Sequence, residues 1–443
     1  MADLPITNVT ISKQTATVSR AGFGTPIFFT AHRAYMGRVR AYTKLSDVAE
    51  DFDTTENAYI AAQGIFSGQA NVAQFKIARI EADVILTPQN VAIGEDYSLT
   101  VNVPNFSVTA SYTALGDDTE EDVVDALLAL IVADTDVSAV VTATKVGVGA
   151  SATLKLAAAT GAEFSVTDSL GLGKSFTTSE TAAQMVTACE NEDGDFYFVT
   201  AENHTVSFVQ SMAAVVGASK RQYVYSSADV NAINNAYSDV ATDAPAKMKQ
   251  SSYDNVFGIW THQADTKFAE CYLVGVNAKY APDVTSVTWF GLALAGLEAS
   301  RNSFGNVLTA TQRNNLSDRN IGYIKPTRVG DRFVEGKEAS GEFIDITHTI
   351  HTMEARIAEQ QELLLLNNAG GKVPATAAGI NSVKSAISQA LSPFVNSGAL
   401  TGYTVDISNA TVDNNTRTLT GISFKAFLAG AIHHTVVDGV LTF

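Results

Sequence analysis

The stretch of sequence that decides the fold is FYFVTAENHTVSFVQSMAAVVGASKRQYVYSS, residues 196–227. Near its two ends, residues 196–200 and 222–225 are short runs rich in aromatic and β-branched side chains, which is typical of strands. Between them, apolar residues recur at helical spacing over residues 204–216, which predicts a helix. A strand, a helix and a strand in this order favour two parallel strands with a helix packed on one face of the sheet.

The alternation of strands and helices continues along the chain. We predict helices at residues 229–240 and 265–279, with a strand at 256–261 between them. A similar strand and helix pattern occurs upstream of residue 83. The sequence therefore predicts an α/β middle domain made of residues 25–83 and 176–305, with a largely parallel sheet covered by helices.

Residues 84–175 have a different texture, because Thr, Ala and Val dominate and apolar residues alternate with polar ones. Tyr97, Leu99 and Val101 would share one face of a strand. One helix is predicted near residues 120–132, and the rest of the segment has strand patterns. We interpret it as an inserted, mainly β outer domain.

The last third of the chain combines both kinds of element. Residues 345–367 and 376–391 have helical patterns, whereas residues 403–408 and 417–427 have strand patterns. We predict a C-terminal α+β domain over residues 306–431.

Both ends of the chain are β-prone and lie outside these domains. Residues 1–24 begin with the β-branched run ITNVTIS at 6–12, and residues 432–443 form a second such run. An unpaired strand exposes backbone donors and acceptors and invites aggregation unless pairing is its purpose. The predicted fold class is therefore α+β and multidomain, with extended strand arms at both ends.

Composition narrows the classes of partner. The 443 residues include 46 acidic and 29 basic side chains, a formal net charge of −17, which argues against nucleic acid as a partner. Cys189 and Cys271 have no zinc-binding spacing, and we expect both to be buried as small apolar residues. No apolar stretch reaches the roughly 20 residues that a bilayer requires, so we expect no membrane insertion and synthesis in a cytoplasm.

Two motifs suggest ligand binding, and each has a simpler interpretation. Residues 171–175, GLGKS, lack the first glycine of a phosphate-binding loop and precede no helix, so we expect a surface turn. His348, His351 and Glu354 recur every three residues on a predicted helix. Such steps drift around the helix axis, so we expect a solvated polar face instead of a metal site.

Two further groups suggest catalysis and are also explained by structure. Adjacent His433 and His434 would face opposite sides of a predicted strand and could not act together. The acidic residues at 117–121 precede a helix, where negative charge complements the helix dipole. We therefore predict no catalytic residue, no cofactor and no metal, and a protein that is not an enzyme.

The longest distinctive stretches lie near the C-terminus. Residues 339–346 read ASGEFIDI, residues 353–359 read MEARIAE, and residues 424–433 read FKAFLAGAIH. Together with the N-terminal strand, they make most of the chain outside the inserted block resemble the contractile tail sheath proteins of myovirus-type phages. One departure is THTIHT at 347–352, where the family more typically has an aromatic, charge-bearing stretch.

The resemblance implies a structural subunit that forms a helical homo-oligomer of stacked rings around a tail tube. Its partners would be the tail tube protein, the baseplate proteins and the tail terminator protein, and its place would be the virion tail, assembled in the host cytoplasm. Contraction would drive the tube through the host envelope for genome delivery. The C-terminal domain would lie next to the tube, and the arms would add strands to a sheet in neighbouring subunits.

Three sets of residues are candidates for these roles. The arms would hold neighbouring subunits through apolar side chains, namely Ile6, Val9, Ile11, Val437, Leu441 and Phe443. The tube would be contacted by Arg313 and Arg319, which lie on a predicted short helix over residues 309–319. Candidate hinges are Gly22, Gly24 and Gly430, because glycine absorbs large backbone changes.

Two other functions stay open. The first is the sheath of a bacterial contractile injection or secretion system. The second, from another class, is an acidic α/β enzyme with a β-rich binding module, which is supported only by the alternating elements between residues 195 and 281. An enzyme of that kind predicts a folded monomer with a polar pocket, whereas a sheath subunit predicts polymers.

Overall fold

The computed structural model describes residues 22–68, 72–159, 162–366 and 372–433. These residues form a mixed α+β structure with several sheets. The strands are β1 (Pro26–Ala31), β2 (Val39–Tyr42), β3 (Phe75–Ile80), β4 (Asp83–Pro88), β5 (Asp96–Val103), β6 (Phe106–Thr113), β7 (Val141–Val146), β8 (Thr153–Ala158), β9 (Ser165–Leu170), β10 (Leu172–Thr177), β11 (Phe198–Ala201), β12 (Gln222–Ser227), β13 (Val256–Trp260), β14 (Gly322–Thr327), β15 (Gly330–Val334), β16 (Leu400–Asp406), β17 (Thr411–Asp413), β18 (Thr418–Thr420) and β19 (Ser423–Leu428).

The helices range from single turns to a helix of 23 residues. They are α1 (Leu45–Val48), α2 (Asn57–Phe66), α3 (Glu120–Ala133), α4 (Thr135–Ser138), α5 (Ala182–Asp193), α6 (Val206–Gly217), α7 (Val230–Asn234), α8 (Ala244–Ser251), α9 (Ala264–Lys267), α10 (Ala269–Asn277), α11 (Ala310–Ser317), α12 (Ile344–Leu366) and α13 (Ala377–Asn396). No helix in the described ranges is both long enough and apolar enough to cross a membrane.

An eight-stranded sheet forms the centre of the molecule, in the order β15-β14-β13-β12-β11-β1-β3-β2. The six strands from β14 to β3 are parallel, and the two edge strands are antiparallel to their neighbours. Parallel strands need helical connections that cover both faces of the sheet, which explains why these strands are almost continuously apolar. The prediction of a largely parallel sheet is confirmed.

A separate hydrophobic core lies on each face of this sheet. Because successive side chains on a strand point to opposite faces, Phe28 joins one core while Phe29 joins the other. Cys271 belongs to the first core and Cys189 to the second, and both are buried and free. The prediction that both cysteines act as buried small residues is confirmed.

The sheet extends further along the chain than the sequence predicts. Strands β14 and β15 complete it, and β14 pairs with β13 through Ile259 opposite Gly322. The domain boundary placed at residue 306 was therefore wrong, since residues up to Val334 belong to the large sheet.

Strands β4 to β10 form an insert with its own core. A four-stranded sheet, β10-β4-β8-β7, and a three-stranded sheet, β6-β5-β9, enclose helix α3. The first and last strands of the insert pair with each other, so that Asp83 lies opposite Thr177. Thr119 and Asp122 form a capping box at the start of α3, which supports a capping role for the acidic residues there.

The C-terminal domain consists of α12, α13 and two hairpin ladders. The two helices pack against each other and against the ladder of β16 and β19. The second ladder, β17 with β18, continues from the same hairpin.

Candidate assembly surfaces

Helix α12 joins the C-terminal domain to the large sheet. In its first half, His348 and His351 are buried. The Tyr197 ring stacks on His348 at a centroid distance of 5.1 Å, and its hydroxyl lies 2.9 Å from Nδ1 of His351. Burial lowers the pKa of His348 to about 4 and that of His351 to about 3, so both are neutral near pH 7.

The prediction of a solvated polar face on this helix was therefore wrong. Glu354, the third member of the motif, forms an ion pair with Lys220 at 2.7 Å. Within the described ranges, no group of three or more His, Cys, Asp or Glu residues is placed to hold a metal ion. Thr347, His348 and His351 instead fasten the helix to residues outside it. Thr349 and Thr352 bond to carbonyl oxygens of the helix itself.

A buried hydrogen-bond network fixes the first turns of α12. Oε1 of Glu338 accepts from Nε2 of Gln222 at 2.9 Å. Its Oε2 lies 2.5 Å from the hydroxyl of Thr347, which is also 2.8 Å from the carbonyl oxygen of Asp254. Burial raises the pKa of Glu338 well above its usual range, so the carboxyl keeps its proton. The Thr347 hydroxyl therefore bonds to both the Glu338 carboxyl and the carbonyl oxygen of Asp254.

The second half of the joint uses an ion pair. Nε of Arg356 lies 2.6 Å from Oδ2 of Asp283, and both side chains are largely buried. In the same loop, the carbonyl oxygen of Pro282 accepts from the Ser397 hydroxyl at 2.6 Å. The loop therefore binds both α12 and the end of α13, which holds the C-terminal domain against the large sheet.

The joint was not predicted from the sequence, although one signal for it is present there. Thr347 and His351 are four residues apart, and so are His348 and Thr352. Residues four apart lie on the same face of a helix, so the short polar side chains form a stripe. Such a stripe fits against a sheet that offers hydrogen-bond partners.

The ladder of β16 and β19 is the candidate assembly surface. One face packs on α13 through side chains that include Tyr403 and Phe424. The other face is open, and Phe427 is 51% exposed there. Neither strand has a second neighbour among the described residues, so both outer edges present unpaired backbone groups.

The predicted arms themselves lie outside the described residues. This holds for Ile6, Val9 and Ile11 at one end and for Val437, Leu441 and Phe443 at the other. The strand predicted at 432–443 does not begin at its first two residues, since Ile432 and His433 are described and lie in no strand.

The three candidate hinges have different surroundings. Gly22 and Gly24 are the ends of a single 3₁₀ turn. A Cβ atom on Gly24 would lie 2.9 Å from the carbonyl oxygen of Ala278, so this glycine permits a close backbone contact. Gly430 is exposed and has open space around it. Their role as hinges stays a prediction.

The two arginines proposed for the tube contact are not equivalent. Arg319 is buried and forms two hydrogen bonds of 3.0 Å to the carboxylate of Asp243. Its charge is therefore paired with Asp243 inside the fold. Arg313 is half-buried on α11, and its Nη1 donates to the carbonyl oxygen of Leu308. The helix packs against α7 and β14 of the large domain.

The GLGKS segment, residues 171–175, lies in a hairpin. Gly171 has a φ of +69° and connects β9 to β10, and a Cβ atom there would lie 2.8 Å from the ring of Tyr97. Lys174 belongs to β10, where it forms an ion pair with Glu56 at 3.4 Å. The chain continues as strand β10 after Gly171, so no helix begins here as a phosphate-binding loop requires.

One cluster has the outline of a catalytic triad. Nδ1 of His204 lies 2.8 Å from Asp265, and its Nε2 lies 3.2 Å from the hydroxyl of Ser226 and 3.0 Å from Glu270. Burial opposes a charge on His204, but the two carboxylates outweigh it and raise its pKa to about 10. The imidazolium cannot accept a proton from Ser226, whose side chain is buried, so the cluster does not activate a nucleophile.

Comparison with known proteins finds a match only at the level of structure. No protein-family model matches the chain. No curated protein matches it either.

Solved structures match over nearly the whole chain. The sheath tail protein DSY3957 from Desulfitobacterium hafniense has a TM-score of 0.50 and 11% identity, covering 96% of this chain and 97% of its own. A chain in the contracted anti-feeding prophage baseplate also has a TM-score of 0.50 and 11% identity, covering 100% and 97%. The sheath tail protein Lin1278 from Listeria innocua has a TM-score of 0.49 and 12% identity, covering 94% and 97%. The chain therefore has the fold of a sheath tail protein, as the resemblance in its sequence predicted.

Proposed function

We propose that the chain is a structural subunit of a contractile tail sheath, which polymerises helically around a tail tube. The observation that carries the proposal is the ladder of β16 and β19, which is folded onto α13 and has two open edges among the described residues. The β-prone segments at 6–12 and 434–443 have the length and composition to fill such edges.

The energies suit a reversible lattice. Strand β19 has six residues, and each hydrogen bond that a neighbouring strand forms with it contributes about 0.5–1.5 kcal/mol. One arm is therefore weak, but a subunit held by several arms binds much more tightly, because each further arm binds at a high effective concentration. Head-to-tail contacts with an axial rise generate helical tubes.

The joint at α12 supports movement of the subunit as one body. Its polar network and its ion pair hold the C-terminal domain against the large sheet. We expect contraction to rotate whole subunits while the arms keep neighbours connected. The tube, the baseplate and the tail terminator are the proposed partners, with Arg313 as the proposed tube contact.

The test is assembly of the purified chain with and without its arms. We expect the full chain to form tubes or rings in negative-stain images, and we expect variants lacking residues 1–21 or 434–443 to stay monomeric. Far-UV circular dichroism would check that the shortened chains are folded. A full chain that stays monomeric at high concentration would contradict the proposal.

A further inference from the structure

We infer that His433 fixes the start of the C-terminal arm to the large domain, so that the arm leaves each subunit from a fixed position. The inference rests on the proposed function, because it takes residues 434–443 to be an arm that reaches a second copy of this chain. It concerns the described residue that immediately precedes that arm.

The polypeptide leaves the C-terminal domain at the end of β19. The last bond of the ladder runs from the amide of Ala429 to the carbonyl oxygen of Ala399, at 3.0 Å. Gly430 and Ala431 are then exposed, and Ile432 is 85% exposed. A chain leaving a domain in this way has little to hold it.

The chain is held again at His433. Its ring stacks on Phe290 at a centroid distance of 4.6 Å with an interplanar angle of 9°. The edge of Phe343 meets the same ring at 4.9 Å and 88°, and Nε2 lies 3.2 Å from the hydroxyl of Thr288. Both aromatic distances are within the range of favourable ring pairs. Three contacts from two separate segments therefore clamp one ring.

The clamp lies beside the joint of α12. Phe343 immediately precedes this helix. At the other end of the chain, Phe23 packs on Tyr197 at 5.1 Å, and Tyr197 in turn stacks on His348 of α12. The two ends of the described chain are thus both held next to one rigid element. The positions of Phe23 and His433 at the two ends of the described chain are consequently fixed relative to each other.

Anchoring at His433 shortens the free tether. Ten residues follow His433, and they span at most about 36 Å when fully extended. Without the clamp, the free segment would begin after Ala429 and contain 14 residues (430–443). Effective concentration falls roughly as the −3/2 power of tether length, which gives a loss of about twofold.

The test compares His433→Ala with two matched variants. His433→Phe keeps a ring that can stack, and Ile432→Ala removes an exposed side chain next to the clamp. The critical concentration for polymerisation is measured by sedimentation, and the regularity of the tubes by negative-stain microscopy. We expect His433→Ala to raise the critical concentration by a few-fold and to give irregular tubes, while the other two variants behave as the unaltered chain. Equal assembly of His433→Ala and the unaltered chain would overturn the inference and leave the proposed function standing.

A second measurement examines the clamp without polymerisation. In chain labelled with ¹³C-histidine and kept below the assembly concentration, stacking on Phe290 should shift the ring protons of His433 upfield. His433→Phe identifies the signal, and Phe290→Leu should abolish the shift. A His433 signal at the position of a solvent-exposed histidine would refute the clamp. If the full chain never polymerises, the proposed function fails and this inference fails with it, whatever the ring signal.

Discussion

Arg319 holds together the part of the large domain that carries α11. Its guanidinium donates to both oxygens of Asp243 and to the carbonyl oxygens of Asn235 and Asn315. Asp243 also caps the start of α8. Truncation of Arg319 would leave a buried carboxylate with no counter-ion, which typically costs about 3–5 kcal/mol.

We therefore predict that Arg319→Ala lowers the midpoint of urea unfolding strongly, as followed by tryptophan fluorescence. Arg319→Lys keeps the charge but loses the paired hydrogen bonds to Asp243. Its unfolding midpoint should therefore lie between those of the unaltered chain and Arg319→Ala. The matched control is Arg313→Ala, on helix α11 just before Arg319, which should change the free energy of unfolding by less than about 1 kcal/mol. Equal midpoints for Arg319→Ala and Arg313→Ala would refute this account.

The buried carboxyl of Glu338 makes a prediction about pH. The pKa of Glu338 in the folded state is well above that in the unfolded chain. The stabilisation that this carboxyl gives the folded state is therefore fully present below the unfolded pKa of about 4.3. It is lost as the pH rises toward the folded pKa, by up to about 1.4 kcal/mol per pH unit. Glu338→Gln keeps the acceptor for Gln222 and a donor for Thr347 without this loss.

We expect Glu338→Gln to be more stable than the unaltered chain at pH 8 and to lose that advantage by about pH 5. Thermal unfolding at several pH values measures the difference. His348 and His351 contribute the opposite slope, because the stabilisation from their lowered pKa values is fully present above about pH 6.5 and is lost as the pH falls toward about 4 and about 3. Both chains share this effect. Glu298→Gln, at an exposed site, is the control. A difference independent of pH would exclude a protonated Glu338.

At the scale of elements, the local sequence pattern predicted most of the strands correctly. It placed several helix ends incorrectly. The central strands were found because strands covered on both faces are short apolar runs, as in the predicted 256–261 and the observed β13. The helix predicted at 229–240 ends at Asn234. The helix predicted at 265–279 breaks at Phe268, which has a φ of +50°.

The break at Phe268 has a tertiary cause that no local pattern reveals. A bulky residue with positive φ is strained, yet this ring is buried and meets Phe28 edge-on at 5.1 Å. Packing with a distant strand outweighs local preference. The same reason explains the misplaced boundary at residue 306, since β14 pairs with a strand about sixty residues earlier. The joint and the clamp on His433 also depend on distant contacts.

The pair of α12 and α13 makes the next prediction. Leu391 is fully buried between these helices and the ladder. Its truncation to alanine should destabilise the C-terminal domain by about 2–5 kcal/mol. Both tryptophans, Trp260 and Trp289, lie in the cores of the large sheet, so their fluorescence reports that part alone.

We therefore expect Leu391→Ala to shift the helix signal in circular dichroism to lower urea, ahead of the tryptophan signal. Leu363→Ala is the matched control, because that side chain is 49% exposed on α12. It should change the free energy of unfolding by no more than about 0.5 kcal/mol. Coincident shifts of both signals would mean that the two parts unfold as one unit.

At the scale of the whole molecule, the insert and the assembly surfaces belong to different parts of the chain. The insert has its own core, and the open ladder and the clamp lie in and beside the C-terminal domain. The insert contacts the large domain mainly through polar groups: the Val166 amide donates to the Arg33 carbonyl at 2.7 Å, and the Arg33 guanidinium lies 4.1 Å from the centre of the Phe164 ring. Two ion pairs also join them, Lys174 with Glu56 at 3.4 Å and Glu163 with Arg79 at 3.6 Å.

Replacement of residues 83–177 by a short Gly-Ser linker should therefore leave a folded chain that still polymerises. The cut ends are close, since Asp83 pairs with Thr177, so a short linker can join them at little entropic cost. We expect a modest loss of thermal stability, because Arg33 loses Phe164 and Glu56 loses Lys174. We also expect tubes of smaller outer diameter in negative-stain images. The control is the unaltered chain imaged in the same buffer. A folded monomer that no longer forms tubes would show that the insert contributes contacts between subunits, and the lattice would then depend on more than the arms.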